Sequence, residues 1–131
     1  MGERMNRTDF RALFGMRAPV VLPVIHVLDT PRSLQNIDVL RKEGAPGCFL
    51  INHDFGVEPF LPIVREVRAA HPDLWLGLNF LAVTGRDAFP QLVELEQDGC
   101  RVDAYWADDA RIDERAPAQR EAKEIAKARE D

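Results

Sequence analysis

Only two cysteines, one tyrosine and three histidines occur in the 131 residues, and no apolar run approaches the roughly 20 residues that a membrane helix requires. Each scarcity removes a class of protein. Cys48 and Cys100 form no CxxC pair and have no histidine at ligand spacing, so a zinc module and a disulfide scaffold are both excluded. Each opens a strand, two strands apart in a sequential sheet. That separation of about 9.6 Å exceeds disulfide reach, so both are expected as free thiols at the N-terminal strand ends. Basic excess is missing as well. The net charge is −5, and lysines and arginines are interleaved with acids, which argues against a nucleic-acid partner. The segment MGERMNRTDF has no signal-peptide core, and Asn6 stands where myristoylation favours Ser or Thr. A cytoplasmic protein without membrane insertion is the expectation.

Several catalytic signatures are also absent. There is no GxGxxG or P-loop, His26 is followed by Val27 and Leu28 and so gives no His-x-His metal pair, and no lysine ends a strand to form a Schiff base. The sequence therefore points to no metal and specifies no cofactor.

What is present is a globular composition, 46% hydrophobic and 30% charged, at a length suited to one domain. The stretch Trp75 to Thr84 (WLGLNFLAVT) is a nearly continuous apolar run of strand length, the mark of a parallel strand buried on both faces. The same order of turn, apolar strand, polar residue and amphipathic helix recurs at Val20 to Leu28, Cys48 to Asp54 and Arg101 to Asp108. Strand starts near 20, 48, 75 and 101 give a period close to the ~31 residues per unit of a (β/α)8 barrel. The fold class expected is α/β: four βα units in a parallel sheet, half of a TIM-type barrel. Residues 1–131 then form a single domain, with a lead-in helix in 1–19, four strands and three helices in 20–116, and a C-terminal helix in 117–131.

Local signals refine the elements. Thr8 is a plausible N-cap for a helix to Met16 that plugs the base of the sheet, ended by Gly15. Pro23 inside strand one implies a bulge or a free edge. Ser33 is read as the cap of the next helix, with Gly44 as its stop. Val57 to Ala70 forms a helix whose start Pro62 should delay or kink. Phe89, Leu92, Val93 and Leu95 make the apolar face of a helix ended by Gly99, and Pro117 to Asp131 is a strong helix former.

Stacking the units places polar residues at one strand end after another: His26, then Asn52, His53 and Asp54, then Asn79, then Asp103, Tyr105 and Asp108. Polar groups inside apolar strands are costly unless paired, and chemistry in parallel α/β folds sits at the C-terminal strand ends. His26, Asp54 and Asp103 are the candidate catalytic residues. Asn52, His53, Asn79 and Tyr105 are candidate substrate-binding residues. Asp108-Asp109 reads as a solvated turn or helix cap. Taken one at a time, each residue has an ordinary alternative, a satisfied histidine in a core being the commonest for His26.

The segments DFRALFGMRAPVVLPVIHVL, INHDFGVEPF, GLNFL and CRVDAYWADDARID together resemble the N-terminal half of the BtpA/SgcQ family, a predicted TIM-barrel group of the phosphate-binding kind, named after a photosystem I biogenesis protein. His26 falls on that family's strand-one histidine and Asn79 on its GLN asparagine. His53, Asp54 and Asp103 stand where the family carries Glu, Asn and Asn, and the loop after His26 is shortened. The resemblance implies a barrel enzyme of lyase, isomerase or transferase type, acting on a small phosphorylated or nucleoside-like substrate. Two alternatives remain open: a non-enzymatic assembly or biogenesis factor, and an inactive truncated half barrel. An open half barrel leaves two apolar edges, so a homo-oligomer is expected.

Overall fold

The computed structural model describes residues 5–15, 19–108 and 110–130. Four parallel strands lie in sequential order, β1 (Val24–His26), β2 (Gly47–Ile51), β3 (Trp75–Asn79) and β4 (Ala104–Tyr105). Five helices accompany them among the described residues: α1 (Arg7–Leu13), α2 (Thr30–Lys42), α3 (Val57–Ala70), α4 (Gly85–Gln97) and α5 (Arg120–Glu130). The expected repeated βα units are therefore present, and each strand is followed by a helix. The paired parts of β1, β3 and β4 are shorter than the stretches that read as strands. Pro23 shows why for β1: its carbonyl accepts from Phe49 N–H, so the ring, which has no N–H, stands where the ladder begins and no bulge is needed.

Helix ends follow local chemistry, with two shifts from the sequence reading. Asn6, not Thr8, caps α1: its side chain accepts from the N–H groups of Thr8 and Asp9, and Asp9 returns a bond to Asn6 N–H. Met16 lies outside the described residues. Asp29, not Ser33, caps α2, while Ser33 donates its hydroxyl to the Asp29 carbonyl. Pro62 neither delays nor ends α3, which begins at Val57 and contains the proline one turn in. Helices α2 and α4 stop alike. Gly44 (φ +84°) and Gly99 (φ +78°) take the left-handed conformation. Ala45 N–H then reaches Leu40 O at 2.9 Å and Cys100 N–H reaches Leu95 O at 2.8 Å, closing two Schellman turns.

Strand alternation sorts the sheet into two faces. Ile25, Val27, Cys48, Leu50, Leu76 and Leu78 point to the helices and form one core with Ile37, Phe60, Val64, Val67, Ala88 and Leu95. Phe60 and Phe80 meet edge to face within it at 5.9 Å. Such burial contributes about 1.5 to 3 kcal/mol per large apolar side chain. The other face carries Val24, His26, Phe49, Ile51, Trp75, Gly77, Asn79, Ala104 and Trp106, as the pairing of Val24 with Phe49, Phe49 with Gly77, and Gly77 with Ala104 requires. No helix of the repeat covers it. Among the described residues, Phe10 of α1 and its C-cap Phe14 meet it, against Trp75 at the start of β3, and this is the expected place at the base. Gly77 has a specific role here: a Cβ on it would lie 2.3 Å from the Phe49 ring, which rests on the bare backbone.

Candidate active site at the C-terminal strand rim

His26 ends β1 and His53 follows β2 by two residues, which keeps it on the same face as Ile51, the register partner of His26. Their rings stack nearly parallel, 4° apart with centroids at 5.2 Å. Asp54 follows directly, with a carboxylate oxygen 3.8 Å from His53 Nδ1, and both side chains are open to solvent. Imidazole is the side chain suited to giving and taking protons near neutral pH, and a carboxylate beside it can hold a tautomer or balance charge.

Asn79, the last residue of β3, is completely buried. Its Nδ2 donates to Trp106 O at 2.8 Å and to Asp108 Oδ1 at 3.1 Å. Both partners can only accept, so the amide orientation is fixed. The remaining atom, Oδ1, is buried with no donor among the described residues, a position that costs about 1 to 3 kcal/mol when uncompensated. Ile51 pairs with both His26 and Asn79, so the histidine and the asparagine stand two strands apart, about 9.6 Å, at one level of one rim. His26, His53, Asp54 and Asn79 are thus brought together at the C-terminal strand ends. Asp108, which the sequence presents as a solvated turn, belongs with them through Asn79.

Three expected site residues have other engagements, two of them away from the rim. Asp103 lies apart from the rim: it bonds across to Leu76 at the start of the strands and faces the helices. Its Oδ2 accepts from Leu76 N–H at 2.9 Å and from Arg68 at 3.2 Å, while Oδ1 lies 3.0 Å from Arg101 Nε. Arg68, nearly buried on α3, also donates to the carbonyls of His71, Pro72, Leu74 and Arg101. Asp103 is therefore the counter-ion of a structural arginine at the end of the sheet remote from His26. Tyr105 packs on the helix face against Phe80 and Phe89 and donates its hydroxyl to Val83 O at 2.7 Å. Burial pushes its phenol up to about 12. Asn52 lies at the rim with both amide ends engaged: Nδ2 donates to Phe55 O and Oδ1 accepts from Leu81 N–H, tying together the loops after β2 and β3.

Neither cysteine adds a nucleophile. Both are unpaired and buried in the core, and burial pushes the Cys48 thiol up to about 12 and raises that of Cys100. Among the described residues no group of three or more His, Cys, Asp and Glu side chains is placed to hold a metal ion. None of the helices there is long and apolar enough to cross a membrane.

Fold and rim together define an α/β protein with a sequential parallel sheet, covered by its helices on one face and carrying imidazole, carboxylate and carboxamide groups at the C-terminal strand ends. No protein-family model, curated protein or solved structure matches the chain.

Proposed function

We propose that the chain is a barrel-type enzyme of the BtpA-like kind, half of a TIM-type (β/α)8 barrel, which acts by acid and base chemistry on a small phosphorylated or nucleoside-like metabolite at the rim of His26, His53, Asp54 and Asn79. The observation that carries the reading is the stacked pair His26 and His53 on the same rim as a buried carboxamide whose Oδ1 lacks a donor. In this reading His26 is the acid or base, His53 with Asp54 holds it and balances charge, and Asn79, buried beneath them, anchors Trp106 and Asp108 at the rim. The substrate class comes from the BtpA/SgcQ resemblance of the sequence motifs. The reading includes a cytoplasmic homo-oligomer, since the rim of a four-stranded sheet is open on two sides.

The test uses the three histidines as reporters. Proton NMR of the imidazole C–H signals is recorded while inorganic phosphate, ribose 5-phosphate or adenosine is added. His71 sits at the end of α3 beside Arg41 and Asp38, remote from the rim, and serves as the internal reference. The reading expects saturable shifts of the His26 and His53 signals with His71 unmoved. Equal small shifts in all three, or none with any probe at millimolar concentration, would sink it.

A second reading, a non-enzymatic assembly factor, draws on one observation: the face beneath the rim is apolar and exposed, with Val24 44% and Trp106 43% accessible.

A further inference from the structure

We infer that the uncovered face and both edges of the sheet are closed by a second copy of this chain, β1 of each copy pairing in parallel with β4 of the other to make an eight-stranded ring. The inference deepens the proposed reading, since it supplies the missing sides of the rim.

Topology makes the two edges complementary. In the order β1-β2-β3-β4 with every pair parallel, the outer strands run the same way. A two-fold rotation about an axis parallel to the strands therefore sets β4 of one copy beside β1 of the other, and the reciprocal junction closes the ring with no edge left over.

The β1 edge is built to pair. Pro23 O and Val27 N–H bond to β2, so by strand alternation the backbone groups of Val24 and His26 face outward with donors and acceptors intact. From Pro19 to Leu28 no residue carries a permanent charge. Val21 is 68% exposed and Leu28 45%. Natural edges are normally blunted by charge, by an outward-facing proline or by a covering element, and among the described residues this one has none of the three.

The β4 side offers the matching space. Phe10, Leu13, Trp75 and Ala104, with the charged Arg7 and Asp103 at its margin, line an open cleft of about 590 Å³ between α1 and the edge strand, and Trp106 is half exposed on the same face.

Area supports the same occupant. The chain exposes 8722 Å², whereas a compact monomer of its 14.8 kDa mass exposes about 7,000 Å². The excess, roughly 1,700 Å² per chain, lies within the roughly 1,000 to 2,500 Å² that each partner of an obligate dimer buries.

The closure has a consequence for the rim. His26 stands on an edge strand, with β2 on one side only. In the ring its open side meets the rim end of β4 of the other copy, so each rim is completed by residues of both chains.

The experiment combines mass and cross-linking on the full chain. Light scattering at micromolar concentration is expected to give twice the chain mass. A barrel of shear ~8 offsets each of its two equal junctions by about four residues, which sets Ala104 beside Val20 of the other copy, so Val20→Cys and Ala104→Cys are then introduced together and singly. Within one chain these positions are more than three strand spacings apart, over about 14 Å, beyond disulfide reach, so any bond between them joins two copies. The double variant is expected to form a covalent dimer under mild oxidation and neither single variant to do so, the buried native thiols being silent. A monomer, an open-ended aggregate, or a cross-link in the Val20→Cys single variant, which means β1 against β1, each overturns the inference. The result is independent of the proposed chemistry: a cross-linked ring whose histidines ignore every probe keeps the closure and removes the enzyme reading.

Discussion

The two faces of the sheet are made from the same strands, residue by residue in alternation, and they differ in how complete they are. On the helix face Val27, Cys48, Leu50, Leu76 and Leu78 have no accessible surface, and the strand polar groups that face it are partnered, Asp103 with Arg68 and Tyr105 with the Val83 carbonyl. On the other face Val24, Leu28 and Trp106 remain more than 40% exposed, and Asn79 keeps an acceptor without a donor. Polarity that is fully paired supports the fold, whereas polarity left unpaired beside exposed apolar surface is where binding and association are to be sought.

Substitutions on the two faces should separate stability from binding. Phe60→Ala removes a fully buried ring from the helix face and should cost about 3 to 5 kcal/mol, measured by urea denaturation; a loss below about 1 kcal/mol would mean that this core is not the one that holds the chain together. Asp103→Asn leaves Arg68 without its counter-ion at a partly buried site and should cost about 1 to 3 kcal/mol while leaving the histidine signals at the rim unchanged. A variant that kept full stability but lost rim binding would return Asp103 to the site. Gly77→Ala drives a methyl group into the Phe49 ring and should cost about 1 to 3 kcal/mol, accompanied by changed tryptophan emission, since Trp75 and Trp106 both adjoin Phe49.

Smaller still is an alkaline effect that belongs to the helix face alone. Cys48 and Tyr105 are raised from ordinary values of 9.0 and 10.0 to about 12. The folded chain thus holds these protons more tightly than the unfolded chain. Their stabilisation is complete below about pH 9 and is lost as pH rises towards about 12. Cys48→Ala should flatten the fall in melting temperature over that interval, and an unchanged slope would show that the thiol titrates alike in both states.

The sequence made the repeat legible because apolar strands, glycine helix stops and strand spacing are local signals. The rim was legible in part. His26, His53, Asp54 and Asn79 follow or end their strands, so their level was readable from the strand pattern, although the stacking of two histidines from neighbouring units depends on register. Asp103 and Tyr105 were misplaced because CRVDAYWAD is apolar enough to be read as one long strand, whereas pairing is confined to Ala104 and Tyr105. A residue at the start of a strand then passes for one near its end. A signal against Asp103 as a catalyst was nevertheless present: Phe60, Val64 and Arg68 recur every four residues on one helix stripe, and an arginine on an apolar stripe requires a buried acceptor. Asn52 could not be separated from Asn79 by pattern, since both are asparagines at strand ends and only the loop bonds to Phe55 and Leu81 distinguish them.

Trp75 and Trp106 are the only tryptophans and both belong to the uncovered face, so their fluorescence reports on that face alone. The most direct measurement is acrylamide quenching of Trp106 in a Trp75→Phe variant at micromolar concentration. The account predicts slow quenching, because the half-exposed ring is covered by the second copy; quenching as fast as that of a tryptophan in a short peptide would contradict it.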